Sequence, residues 1–143
     1  MSPETVQKLN KLNYDFYETI GQYFNHSRNH AWEGWLVLGQ ELKKQFGNRK
    51  IRVLELGCGN GRFLEFLHNQ GFEIQSYIGL DTSDFLLDRA RERLAGMNIE
   101  NAEFIKSDLL FDNWPEILKD KGIEHFDLVA MFGVLHHLSL IHI

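Results

Sequence analysis

The run Glu55-Leu56-Gly57-Cys58-Gly59-Asn60-Gly61-Arg62-Phe63 carries the first chemistry legible in this chain. Three glycines at alternate positions let a backbone turn tightly and keep side chains away from whatever lies against the turn. A helix opening directly behind them would offer free N–H groups to anionic or carbonyl oxygens. Asp81 follows about 20 residues later, the spacing at which doubly wound folds place a carboxylate to accept from both ribose hydroxyls. Asp108 closes a further apolar run, Phe104-Ile105-Lys106-Ser107-Asp108. Each feature alone has a plain structural reading. The glycines could serve a strand-to-helix turn with positive φ, and Asp81, Thr82 or Ser83 could simply cap a helix. Three strand ends bearing glycines, a carboxylate and a carboxylate point instead to a ligand crevice, because in a doubly wound sheet those ends lie side by side.

Two nucleoside cofactors compete for such a crevice. The dinucleotide fingerprint wants glycine or alanine at its sixth position, which here is Arg62. Glu55, just before the loop, would repel a pyrophosphate, whereas a ligand carrying a sulfonium and an α-ammonium group tolerates it. The electrostatics favour S-adenosylmethionine. The alternative is a nucleotide-binding Rossmann-like module of the NAD type that methylates nothing.

The elements that must position these residues follow from periodicity. Ser2 before Pro3 and Glu4 reads as an N-cap with proline at the first helical position. Loose helical spacing runs on through Tyr14, Tyr17, Ile20 and Phe24, and the polar stretch of residues 25–29 is expected to break it. Trp32, Trp35, Leu36, Leu42 and Phe46 predict a second helix over about residues 30–46, closed by Gly47. The two tryptophans are expected to pack in the core. From residue 51 short apolar runs alternate with amphipathic ones. Strands are predicted over residues 51–56, 74–80, 103–107 and 126–132. Helices are predicted from the glycine loop to near Gly71, over residues 84–94 and over residues 114–121. Strands alternating with helices make an α/β fold with a parallel sheet covered on both faces.

These residues carry a family resemblance. Residues 55–61 closely resemble the first motif of class I S-adenosylmethionine-dependent methyltransferases. Gly79-Leu80-Asp81-Thr82-Ser83 resembles their second, and Lys106-Ser107-Asp108-Leu109 their third. Residues 126–129 with Gly133-Val134-Leu135-His136-His137-Leu138 resemble the fourth strand and its sequel. The resemblance spans about residues 50–138. It implies a Rossmann-like doubly wound sheet, the first four strands of a seven-stranded methyltransferase fold, with helices before it. It also implies S-adenosyl-L-methionine as cofactor. The loop from Gly57 through Cys58, Gly59 and Asn60 to Gly61, with Glu55, would lie against the methionine portion. Asp81 and Thr82 would take the ribose, Asp108 and Leu109 the adenine, and Phe132 with Gly133 the region of the methyl donor.

The N-terminal segment, Tyr17 through Phe24-Asn25-His26-Ser27-Arg28 to Trp32 and Trp35, is similar to the lead-in helices of methyltransferases acting on tRNA wobble uridines. Asn25-His26 interrupts the phenylalanine-serine pair, and no proline follows Trp32. The methyl acceptor is therefore left as a small molecule or a tRNA. Arg28 reads either as a ligand to the cofactor carboxylate or as a solvated loop arginine. His136 and His137 read as loop residues lining a crevice, since no second cluster stands at zinc spacing. Cys58 reads as a small residue in a tight turn.

The bulk properties fit this. A chain of 143 residues with 43% hydrophobic and 24% charged residues has room for one domain with a core. The net charge of −5 provides no global basic footprint for nucleic acid. One cysteine excludes an internal disulfide, no apolar run suits a bilayer, and the first residues lack a signal-like layout, so a cytoplasmic setting is expected. The expected organisation is a helical cap over residues 1–48 and a cofactor-binding domain over 49–137. With four of seven strands visible, that domain is expected to be incomplete and inactive alone. Leu138-Ser139-Leu140-Ile141-His142-Ile143 is what CTGTCTCTTATACACATC encodes, the end of a transposase-derived adapter. A non-native tail over 138–143 is expected, and finding the same codons in the source genome would overturn that.

Overall fold

The computed structural model describes residues 2–28 and 30–134. Its strands are β1 (Ile51–Leu56), β2 (Ile74–Asp81), β3 (Ala102–Lys106) and β4 (Leu128–Ala130), and its helices α1 (Pro3–Ser27), α2 (Gly34–Phe46), α3 (Arg62–Asn69), α4 (Asp84–Ala95) and α5 (Trp114–Asp120). All strand pairings are parallel, in the order β3-β2-β1-β4. The chain builds outward from β1 to β3, then crosses back to lay β4 on the other side of β1. That reversal makes the C-terminal ends of β1 and β4 a topological switch point, where the loops diverge and leave a crevice.

Alternation along the strands explains the two layers. Ile51, Val53 and Tyr77 point to one face, where they pack with Trp35, Leu42 and Phe46 of α2, Phe63, Leu64 and Leu67 of α3, and Leu87 and Ala90 of α4. Leu54, Leu56, Ile78 and Leu80 point to the other, against Leu118 of α5 and its partners Trp114 and Ile123. Side chains of period two thus bury both faces of a parallel sheet. Among the described residues no helix is long and apolar enough to cross a membrane.

Local signals placed most boundaries. The Ser2 hydroxyl accepts from Thr5 N at 3.2 Å, and Ser83 accepts from Leu86 N at 3.3 Å to cap α4. Three expectations need correction. The first helix does not break at residue 25 but runs to Ser27, because Asn25 and Arg28 are tied down by Asn60. The second helix starts at Gly34 rather than near His30. The last strand pairs with β1 only over residues 128–130. Phe132 turns out of the strand to place its ring against Trp35 and Phe63, at centroid distances of 5.0 and 4.7 Å. His136, His137 and the segment 138–143 lie outside the described residues.

Candidate functional site

Above the C-terminal edge of the sheet lies a cavity of about 220 Å³. Every residue the sequence singled out for the cofactor lines it except Gly61: Glu55, Gly57, Cys58, Gly59 and Asn60 from the β1 turn, Asp81 and Thr82 after β2, Asp108 and Leu109 after β3, and Phe132 after β4. The strand order therefore sets these groups in a row, with Asp108 at one end and Phe132 at the other.

The glycines have different reasons to be glycine. Gly61 stands just before α3 at φ 74°. A Cβ there would sit 3.0 Å from Ala90 Cβ and 3.1 Å from Phe104 Cζ, so it lets the turn close onto α4 and β3. Gly59 lines the cavity, and nothing lies within 4 Å of where its Cβ would be. The missing side chain there is open space bordered by backbone, which suits a ligand's close approach.

The carboxylates differ equally. Asp81 is not the cap of α4, which is Ser83. Its Oδ2 accepts from Gly59 N at 2.8 Å and its Oδ1 from Ser83 N at 3.0 Å, so it ties the β1 turn to the β2 turn. Burial pushes its pKa up, and the N–H groups of Ser83, Gly59 and Thr82 pull it back. Asp108 accepts from Leu110 N at 2.9 Å and, through Oδ2, from the side-chain amide of Asn10 on α1 at 2.7 Å.

Glu55 is buried on the β1 face that carries Val53, and the Tyr77 hydroxyl donates to its carboxyl group. Burial raises its pKa to about 8. The folded protein thus holds a proton that the unfolded chain releases near pH 4.5. The stabilising contribution is complete below that pH and is lost as pH rises towards 8. Wild-type thermal stability is expected to fall between about pH 5 and pH 8, with a shallower decline in Glu55→Gln, followed by calorimetry. Parallel profiles for the two proteins would refute the assignment. Burial also drives the Cys58 thiol well above its ordinary pKa, which leaves it protonated and no nucleophile at neutral pH.

A helical cap was expected over residues 1–48, but the sequence missed the side chains by which α1 is fastened. This helix crosses the strand ends and is clipped to the turns after β1, β2 and β3. Asn10 donates to Asp108, the Ser83 hydroxyl donates to Glu18 at 2.7 Å, and the Asn60 amide donates to Asn25 at 2.8 Å and to the Arg28 carbonyl at 3.3 Å. Gly21 lets it approach α4, its Cβ position lying 2.8 Å from Phe85. Asn13, Tyr14, Tyr17 and Phe24 also line the cavity. Their helical spacing was visible, but nothing local says which groups of the sheet such a helix meets. Trp35 is a core residue, as expected. Trp32 and Leu36 are not, at 38% and 53% exposure. Trp32 instead carries the guanidinium groups of Arg62, 4.9 Å from its ring centre, and Arg28, at 5.9 Å.

A family model described as a methyltransferase domain matches residues 48–141. A putative methyltransferase of a Geobacillus species is 27% identical over 118 residues, covering 81% of this chain and 43% of that protein. A carboxy-S-adenosyl-L-methionine synthase of Trichodesmium erythraeum is 32% identical over 76 residues, 46% of this chain and 30% of that protein. Among solved structures, the fold is similar to that of an S-adenosylmethionine-dependent methyltransferase from Thiobacillus denitrificans, solved with S-adenosyl-L-homocysteine. There the TM-score is 0.55 and the identity 23%, with coverage of 82% of this chain and 42% of that one. The chain spans less than half the length of each of these proteins.

Proposed function

The chain belongs to the class I S-adenosylmethionine-dependent methyltransferases, and from that membership we propose that the cavity over its strand ends takes S-adenosylmethionine and serves methyl transfer to an acceptor. One observation carries the reading. The ends of β1, β2 and β3 bring a glycine-rich turn and two carboxylates, in that order, to a single cavity at the switch point. In this reading Asp81 accepts from the ribose hydroxyls and Asp108 from an adenine amino group, and the open space at Gly59 takes the methionine portion. Bound there, the cofactor supplies an electrophilic methyl group on a sulfonium sulfur. The protein's part is then mainly to hold donor and acceptor in line and to keep water out.

The Asn10 amide takes one acceptor site of Asp108 as a ligand amino group would, so a ligand arriving there shares that carboxylate with α1. At about 220 Å³ the cavity is also below the roughly 300–1,000 Å³ usual for ligand sites. Both features support reading α1 as a cap that shifts outward on binding. The NAD-type reading loses support, because Arg62 fills the sixth position of the glycine run and lies over Trp32 and Trp35. The similarity of residues 17–35 to wobble-uridine enzymes keeps tRNA as one acceptor class and a small molecule as the other.

Thermal unfolding with excess S-adenosylhomocysteine or NAD tests the reading. At 100 times its dissociation constant a ligand adds about 2.7 kcal/mol, a shift of several degrees for a chain this size. A rise with S-adenosylhomocysteine alone is expected. A rise with NAD, or with neither, would end the proposal.

A further inference from the structure

The β4 end of the cavity gathers two guanidinium groups and an indole N–H with no carboxylate beside them, the one hydrogen-bond acceptor they meet among the described residues being the His30 backbone carbonyl, which takes Arg62 Nη1 at 3.1 Å. Arg28 and Arg62 both line it, both lie over the Trp32 ring, and neither has a carboxylate within ion-pair distance among the described residues. Trp35 lines the same end, and its indole N–H is buried without a hydrogen-bond partner among the described residues. A buried donor left unpaired costs about 1–3 kcal/mol, so an acceptor oxygen brought to the Trp35 N–H would recover that cost. The nearest acidic group does not meet it. Glu55, pushed up to about 8, is largely protonated at neutral pH, while Arg62, pulled down to about 10 by burial and by Arg28, stays charged.

Charge then decides what fits. S-adenosylmethionine brings its own sulfonium, and its amino acid portion is zwitterionic, so its net charge is positive. Docking it beside two unneutralised guanidinium groups makes three positive charges at one end of a cavity. An acceptor bearing a negative group would relieve that. The surrounding walls are aromatic. The Trp32 ring lies edge-on to Phe132 at 5.9 Å, and Arg28 lies over Phe24 at 4.5 Å. Gly133 sits beside Arg28, the Cβ position 3.8 Å from Nη1, so the pair stands at the β4 end, where the methyl group would be delivered.

We propose that Arg28, Arg62 and the Trp35 N–H form an anion subsite for the methyl acceptor, which is a small, flat carboxylic acid. The proposal rests on the cofactor reading above. It deepens that reading, because α1, Arg28 and Trp32 all lie before residue 48, where the family match begins.

The test uses the whole chain saturated with S-adenosylhomocysteine, whose binding is measured first by calorimetry. Benzoate and benzamide, alike in shape but not in charge, are then titrated while the tryptophan indole resonances are followed by NMR. Benzoate is expected to bind at least about tenfold more tightly than benzamide, the size of one charge-assisted hydrogen bond. Arg28→Gln and Arg62→Gln are each expected to abolish that preference at unchanged S-adenosylhomocysteine affinity, and Arg62→Lys to keep part of it. Equal binding of the two probes would overturn the subsite. So would a tenfold loss of S-adenosylhomocysteine affinity in the glutamine variants, because the pair would then serve the cofactor's own carboxylate. Displacement of benzoate by an anticodon stem-loop RNA, with steep salt dependence, would move the site to a nucleic acid and refute the small-acid assignment. Failure of the unaltered chain to bind S-adenosylhomocysteine would remove the cofactor reading itself, and this inference with it.

Discussion

Asp81→Asn is expected to weaken S-adenosylhomocysteine binding by about a hundredfold, measured by calorimetry. A carboxylate accepts from both ribose hydroxyls at once. The amide keeps one acceptor oxygen and turns an NH₂ group toward a hydroxyl that needs to donate. Hydrogen bonds to charged groups contribute about 1.5–3 kcal/mol each, and losing one with its charge corresponds to roughly two decades in affinity. The same substitution carries a structural signature. Asp81 holds Gly59 N with one oxygen and Ser83 N with the other, and an amide satisfies only one of them. The unliganded variant should therefore also unfold a few degrees lower. An affinity within threefold of the wild type would remove Asp81 from the ligand site and leave it as a clip between two turns.

Gly61→Ala is expected to destabilise the fold by about 3 kcal/mol, lowering the thermal midpoint by roughly 10 °C. About 1–2 kcal/mol comes from holding an L side chain at φ 74°. The remainder comes from overpacking, because the new methyl group meets Ala90 Cβ at 3.0 Å, Phe104 Cζ at 3.1 Å and the Ala90 backbone at 3.3 Å. Backbone on α4 cannot yield as a flexible side-chain tip would. Gly59→Ala makes the contrast. Its Cβ meets nothing, so its stability cost is the φ term alone, but the methyl group projects where the ligand is proposed to lie. Loss of stability at 61 with loss of binding at 59 would separate the two roles. A Gly61→Ala chain that melts with the wild type would show that the turn and α4 are less tightly packed than the structure has them.

Much of this molecule follows from rules that act over a few residues, and those parts were legible in the chain itself. Alternation in residues 51–56 and 74–81 buries two faces and therefore demands helices on both sides. Ser2 and Ser83 cap helices because a hydroxyl two or three residues before a free N–H can reach it. Gly57, Gly59, Asp81 and Asp108 could be assigned to one crevice because a parallel βα repeat places every strand end on the same edge, whereas Gly61 of the same run serves packing instead. The errors came where an element's limit depended on something distant. Residues 25–27 stay helical because Asn60, some 35 positions away, reaches Asn25. Trp32 leaves the core because Arg62 and Arg28 arrive from different elements to cover it. The path of α1 over the cavity, the Asn10 amide on Asp108 and the pairing of two arginines at the β4 end all join residues far apart in sequence. No periodicity encodes such meetings. They are settled by which surfaces remain to be covered once the sheet has formed, and only the tertiary structure decides that.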